Sequence, residues 1–339
     1  MVRLGFVGTG GRATAEMREL ATMPDVTLAA FCDIVPEKCA AALDLVNASL
    51  VQAGTPPIRV PFFKEAGEML AAVELDGVYV SLPPFVHGPI EHAILDARRA
   101  LFVEKPIGLD MTVTREIEAH AREAGVVTCV GYQLRYSPAI DRARELLAGR
   151  PIGMAVATRF GGVPPTPWWR VQRQSGGMLI EQHTHGVDLL RCLVGEVESV
   201  YAQADTRLLT DMAGLDIADV NAATLRFASG AVGLVGNSCA LVGGLRAPGL
   251  AATAILAKGL ILQLGGREAT ANFEGGRTEA LPSGGNANRR LNEAFVHALR
   301  TGDRSRIRSD YSDGLRSFEV TYACHLSATR NAPVRIGQG

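Results

Sequence analysis

Val2-Arg3-Leu4-Gly5-Phe6-Val7-Gly8-Thr9-Gly10-Gly11-Arg12-Ala13 decides how the first third of the chain folds. Residues 2–7 form a short apolar run, and the next six read Gly-x-Gly-x-x-Ala at the opening of a helical pattern. Gly8 permits a tight turn, Gly10 lets backbone approach a pyrophosphate, and Ala13 lets the helix pack close to the strand. The helix N-terminus then offers unpaired N–H groups and a favourable dipole to phosphates. Asp33 ends the second apolar run, 20 residues past Ala13, where a carboxylate accepts hydrogen bonds from an adenosine ribose. An acid there repels a 2′-phosphate, so NAD is expected in preference to NADP, with Thr9, Gly11 and Arg12 also facing the phosphates. The bland alternative, a glycine turn beside a surface Asp, does not account for the strand–turn–helix setting.

Outward from this motif, residues 26–32, 78–81, 101–103 and 126–130 are further apolar runs, nearly continuous as in a parallel sheet covered on both faces. Between them, 12–22, 36–48, 85–99 and 112–124 carry helical periodicity. This alternation predicts an α/β Rossmann domain, a doubly wound parallel sheet, over residues 1–132. Ser81-Leu82-Pro83-Pro84-Phe85-Val86-His87 and Glu104-Lys105-Pro106 fall at carboxyl ends of strands, where ligands bind in open α/β sheets. Ser81, Pro83, His87, Glu104 and Lys105 therefore join the cofactor-binding candidates. Pro106 bars Lys105 from the α region, so its ammonium projects into the crevice.

Residues 133–339 are patterned differently. Strand-like pieces at 154–160, 197–205, 222–227, 232–235, 252–256 and 260–264 are separated by Gly-rich turns, and Ala257-Lys258-Gly259 reads as a hairpin corner. An α+β domain with a large open, mainly antiparallel sheet is expected. Two helices, about 288–301 and 312–329, close the chain, the last packing back near the cofactor domain.

Within Gly176–Asp188, a helix would gather Glu181, Thr184, His185 and Asp188 within about 100° of arc, with Ile180, Val187 and Leu190 opposite. An ordinary amphipathic helix with a solvated polar face has the same pattern. His183 and His185 would point about 200° apart, so no metal site is expected. Upstream, Pro164-Pro165-Thr166-Pro167-Trp168-Trp169-Arg170 holds both tryptophans of the chain. They are either plugs that fix a loop or the wall of a sugar pocket, with Arg170 as donor.

Composition narrows the classes. Hydrophobic residues at 47% and charged residues at 20% exclude a disordered chain. A net charge of −1 without a basic stripe argues against nucleic acid. The six cysteines form no CxxC pair, which argues against a disulfide framework or structural zinc. The apolar stretch 247–257 is too short to span a membrane, and the first strand lacks a signal-peptide core, so a cytoplasmic protein is expected.

The glycine turn, Ser81–His87, Glu104-Lys105-Pro106 and the Gly176–Asp188 segment together resemble the glucose–fructose oxidoreductase / inositol dehydrogenase / MocA family over nearly the whole chain. The resemblance implies an NAD(P)-dependent dehydrogenase moving hydride between the nicotinamide and a hydroxyl or keto carbon of a sugar, polyol or cyclitol. It implies a cis Lys105–Pro106 peptide and catalytic roles for Lys105 and His185, with Glu181 at the position of the family's Asp. Arg135, in Gly131–Pro138, would face the cleft and contact substrate with Trp168, Trp169, Arg170, Gln182 and His185. His183 replaces a common small residue, a departure that puts inositol itself in doubt. The outer face of the C-terminal sheet would form a homodimer or homotetramer. Two other readings stay open: a redox-neutral, NAD-assisted glycosidase or epimerase, and a non-catalytic nucleotide sensor.

Overall fold

The computed structural model describes residues 1–243, 245, 252–265, 269–282 and 284–337. The chain divides into two units, Met1–Gln133 with Asn288–Leu315 and Leu134–Ala287 with Arg316–Gly339. Of the apolar stretch 247–257, residues 247–251 lie outside the described residues.

The first unit runs β1 (Val2–Val7), α1 (Gly11–Leu20), β2 (Val26–Cys32), α2 (Pro36–Gln52), β3 (Phe62–Phe63), α3 (Ala66–Ala72), β4 (Gly77–Val80), α4 (Pro89–Asp96), β5 (Ala100–Val103), α5 (Met111–Ala124) and β6 (Thr128–Val130). Its sheet has the order β3-β2-β1-β4-β5-β6, with every pairing parallel. Every residue of β4 and β5 is buried, which explains the unbroken apolar runs. The expected helix over 85–99 is instead a single turn, Pro84–Val86, followed by α4. Gly88 takes φ +132 between them, and Pro89 restarts the helix with its fixed φ. β3, only two residues long, has no periodicity to read.

The second unit holds α6 (Pro138–Leu147), β7 (Ile152–Phe160), α7 (Gln172–Ser175), α8 (Gly177–Glu181), α9 (Thr184–Val194), β8 (Val197–Asp205), β9 (Val220–Phe227), β10 (Val232–Ser238), β11 (Thr253–Ala257), β12 (Leu260–Leu264), β13 (Thr270–Phe273) and β14 (Thr278–Ala280). After α10 (Ala287–Thr301) and α11 (Tyr311–Arg330), β15 (Val334–Arg335) completes its sheet. The order is β14-β13-β12-β11-β7-β10-β9-β8-β15. Only β7–β10 is a parallel pair, and Ala257 opposite Leu260 closes the expected hairpin. Ala155, Ala157, Val235, Ile255 and Leu262 turn to one face and share a core with Val187 and Leu190 of α9. Met154, Val232, Leu234, Leu256 and Ile261 remain exposed.

Residues 288–315, expected in the C-terminal domain, belong to the first unit. The reason is aromatic packing: Phe295 of α10 meets Tyr79 and Phe102 edge-on, with centroids 5.5 and 5.6 Å apart. Burying such a ring contributes about 1.5–3 kcal/mol, and the Tyr79 hydroxyl also donates to Asn292 at 3.0 Å. Among the described residues, no helix is long and apolar enough to cross a membrane.

Candidate active site

In the first unit the predicted residues follow the carboxyl ends of four neighbouring strands. Gly8 follows β1, Asp33 follows β2, Ser81 follows β4, and Glu104 and Lys105 follow β5. Sheet order reverses between β1 and β4, which leaves a crevice outside the strand ends. Gly8 has φ +86, and a Cβ there would lie 2.2 Å from the Ser81 carbonyl oxygen, so no other residue fits. Gly10 and Gly11, by contrast, face open space where a Cβ would meet nothing within 4 Å. Gly10 caps α1 without a side-chain acceptor, and no acid occupies the first turn.

Asp33 clamps this loop. The Thr9 N–H and hydroxyl donate to its Oδ2 at 3.0 and 3.1 Å, and the Val35 N–H donates to Oδ1 at 3.0 Å. Pro83 and Lys105 are half-buried, and the Lys105–Pro106 peptide is cis. Glu104 is buried, and its Oε2 has no hydrogen-bond partner among the described residues.

Two expectations need correction here. Arg12, expected to meet a phosphate, is occupied by protein: its Nε donates to Glu104 at 2.8 Å, and its Nη2 meets Glu16 at 2.6 Å and Asn288 at 3.0 Å. Burial pushes the Glu16 carboxyl up, against the pull of Arg12. His87, expected at the cofactor, has its side chain 1% exposed with Nδ1 2.5 Å from Glu91. Burial opposes ionisation of Glu91, but His87 and the Gly88 N–H outweigh it and hold the carboxyl low.

An NAD-type cofactor fits the crevice on these observations. The open space over Gly10 and Gly11 and the uncapped start of α1 suit a pyrophosphate, and Asp33 retains acceptor capacity beside the loop.

The second unit departs further from the expected single polar-faced helix. α8 ends at Glu181 and α9 begins at Thr184, because the Met178 carbonyl accepts from both Gln182 and His183. Glu181 therefore shares no helix face with His185. It is buried, and its Oε2 accepts from Trp169 Nε1 at 2.6 Å and Gln182 Nε2 at 2.5 Å. Trp169 is 2% exposed and packs with Met178, Leu209 and Ile217. It is a loop plug, while Trp168 and Arg170 remain half-buried.

Arg135 is likewise withdrawn from the role expected of it. It is buried and holds Asp188 with both prongs, at 2.8 and 2.6 Å, while Ser317 donates to the same carboxylate at 2.7 Å. Burial pushes the Asp188 carboxyl up against that pull. Tyr322 packs on Phe318, centroids 5.7 Å apart.

His185 is half-buried at the start of α9 and lines a cavity of about 420 Å³ with Ser137, Thr158, Arg159 and His183. His183 is buried, with Nε2 3.1 Å from the Ala157 carbonyl, and burial pushes its imidazole down to about 4. Gly186 is required by this ring, since a Cβ would lie 2.6 Å from His183 Cε1. Arg159 was absent from the sequence candidates, yet a signal was there. Ala155 and Ala157 point inward along β7, and the next inward position carries a guanidinium. Among the described residues, no group of three His, Cys, Asp or Glu side chains is placed to hold a metal.

Residues 2–132 match the model of an oxidoreductase family with an NAD-binding Rossmann fold, and residues 140–259 match the C-terminal domain of the same Gfo/Idh/MocA family. The chain belongs to this family. It is an NAD-binding oxidoreductase, a dehydrogenase as its named relatives are. Myo-inositol 2-dehydrogenase of Thermotoga maritima is 24% identical over 70% of this chain and 68% of its own length. Scyllo-inositol 2-dehydrogenase (NAD(+)) of Bacillus subtilis is 30% identical over 49% of each chain. Levoglucosan dehydrogenase in complex with NADH superposes over 100% of both chains, with a TM-score of 0.83 and 20% identity.

Proposed function

We propose that the protein is an NAD-linked dehydrogenase of a CH–OH carbon in a small polyhydroxylated substrate. The observation that carries this reading is Lys105, half-buried at the end of β5 and two strands from the glycine loop that follows β1. Bound NAD⁺ would supply the hydride acceptor. Lys105 takes the hydroxyl proton as the carbinol is oxidised, and His185 is a further substrate-handling residue. Glu181 acts one step back, orienting Gln182. Asp33 receives the adenosine ribose and favours NAD over NADP.

A screen of polyols, aldoses and keto-sugars with NAD⁺, NADH, NADP⁺ and NADPH finds the substrate, and variants then test the roles. Lys105→Ala should lower kcat by at least about 100-fold, the low end for a lost general acid–base, with NADH affinity little changed. His185→Ala should also be severe. Near-normal turnover in Lys105→Ala overturns the mechanism.

The exposed apolar side chains Met154, Val232, Leu234, Leu256 and Ile261 on the outer sheet face favour association of copies through that face. Light scattering reads the oligomer, and Leu234→Lys should dissociate it.

A further inference from the structure

The cavity beside His185 carries an electrostatic asymmetry. Arg159 is the one Lys or Arg among its described lining residues, and no Asp or Glu lines it. Arg159 is exposed at the end of β7, and its guanidinium is held by a neutral group: Nη2 donates to Gln182 Oε1 at 2.9 Å. Among the described residues, no carboxylate lies within ion-pairing distance of it, whereas Arg12, Arg135, Arg142 and Arg191 all hold carboxylates.

The nearest acid by connection, Glu181, is joined to Arg159 through the Gln182 amide. Its Oε2 takes Trp169 and the other end of the Gln182 amide. The run Trp169–Glu181–Gln182–Arg159 thus fixes the amide so that its oxygen faces the guanidinium. The arrangement orients Arg159 without neutralising it. His183, on the same cavity, is buried with Nε2 on the Ala157 carbonyl, and burial disfavours its charged form. A cation oriented this way at the rim of a roomy cavity lined by no Asp or Glu suits a planar anion that accepts two parallel N–H bonds.

We propose that the substrate of this cavity is a polyhydroxylated carboxylic acid, such as a uronate or an aldonate, whose carboxylate is bound by Arg159. The inference rests on the reading of His185 as a substrate-handling residue. It narrows the substrate class from sugars and polyols in general to sugar acids. Neutral hexoses and cyclitols would leave the guanidinium without a counter-charge.

The test uses isosteric pairs on the full-length enzyme: D-glucuronate against D-glucuronamide, and D-galacturonate against D-galacturonamide. Binding is measured by calorimetry with NADH saturating, and turnover with NAD⁺. At least one acid should bind and react roughly 10- to 100-fold better than its amide, the range for a hydrogen-bonded charge. Arg159→Gln should remove that preference by weakening the acid and sparing the amide. Arg159→Lys should keep part of it, since a point charge remains without the fork. Unchanged thermal unfolding of Arg159→Gln separates this loss from misfolding. No preference for either acid, or a preference that survives Arg159→Gln, overturns the proposal. Lys105→Ala keeps the two readings apart: it should abolish turnover yet retain the binding preference. Were Lys105→Ala to turn over normally, the dehydrogenase mechanism would fall while carboxylate binding by Arg159 stood.

Discussion

The glycine loop after β1 and the helix break between α8 and α9 both carry candidate residues, but they are built by different means. The loop is made by backbone. Gly8 is fixed by a positive φ and by the approach of the Ser81 carbonyl, and Asp33 holds Thr9 from the neighbouring strand. The break is made by side chains seeking buried partners. His183 turns to the Ala157 carbonyl, Glu181 to Trp169, and Asp188 to Arg135 and Ser317. A site made by backbone depends less on polar side chains for its shape. A site made by side chains consumes most of them internally, and Arg159 at the cavity is held by the neutral Gln182 amide.

The largest effect expected from this contrast is at Arg135. If it serves the fold, Arg135→Met strands Asp188 as a buried, half-partnered charge and should cost about 3–5 kcal/mol of stability. Urea unfolding measures the loss, and steady-state kinetics on the remaining folded enzyme should show KM little changed. A variant of normal stability with a raised KM would make Arg135 a substrate contact after all and break the contrast.

How much was legible follows the same division. The parallel sheet, the glycine turn, Asp33 and Lys105 are set by residues adjacent in sequence, where one glycine or proline removes conformations. Helical periodicity across residues 176–190 suggested one helix because it records only where apolar side chains recur. It does not record that the Met178 carbonyl takes two donors, or that a ring at 183 finds a carbonyl on β7. Partners distant in sequence decided the fates of Arg12, Arg135 and Glu181, while His87 is taken by Glu91 four residues on, each a polar residue that pattern alone leaves free. The 288–315 segment went to the first unit for a similar reason, since Phe295 fits rings on β4 and β5.

His183 sharpens the contrast at the next level of effect. Its folded pKa lies near 4 against 6.5 for a free imidazole, with burial the leading cause and the charge of Arg159 adding to it. The unfolded chain therefore takes up a proton first as pH falls. The stability from a neutral, buried His183 is complete above about pH 6.5 and is lost between 6.5 and 4. The full loss is on the order of 3 kcal/mol. His183→Gln, which keeps a donor for Ala157, should flatten the slope of unfolding free energy with pH in that window. Identical slopes in both proteins would mean that the ring is not held neutral.

The smallest expected effect concerns Asp33, and it separates the clamp seen in the structure from the role proposed for the charge. Oδ2 clamps Thr9, while the proposed function sets the negative charge against the ribose of the cofactor. Asp33→Asn keeps an acceptor for Thr9 but removes the charge, so it should improve use of NADP by roughly tenfold relative to NAD without loosening the loop. Asp33→Ser removes charge and clamp together, and it should narrow the NAD preference mainly by weakening NAD. The ratio of kcat/KM for the two cofactors in wild type and both variants checks this. A wild-type enzyme faster with NADP would show that the carboxylate is spent wholly on the loop. The backbone-built site would then consume its polar side chain just as the other site does.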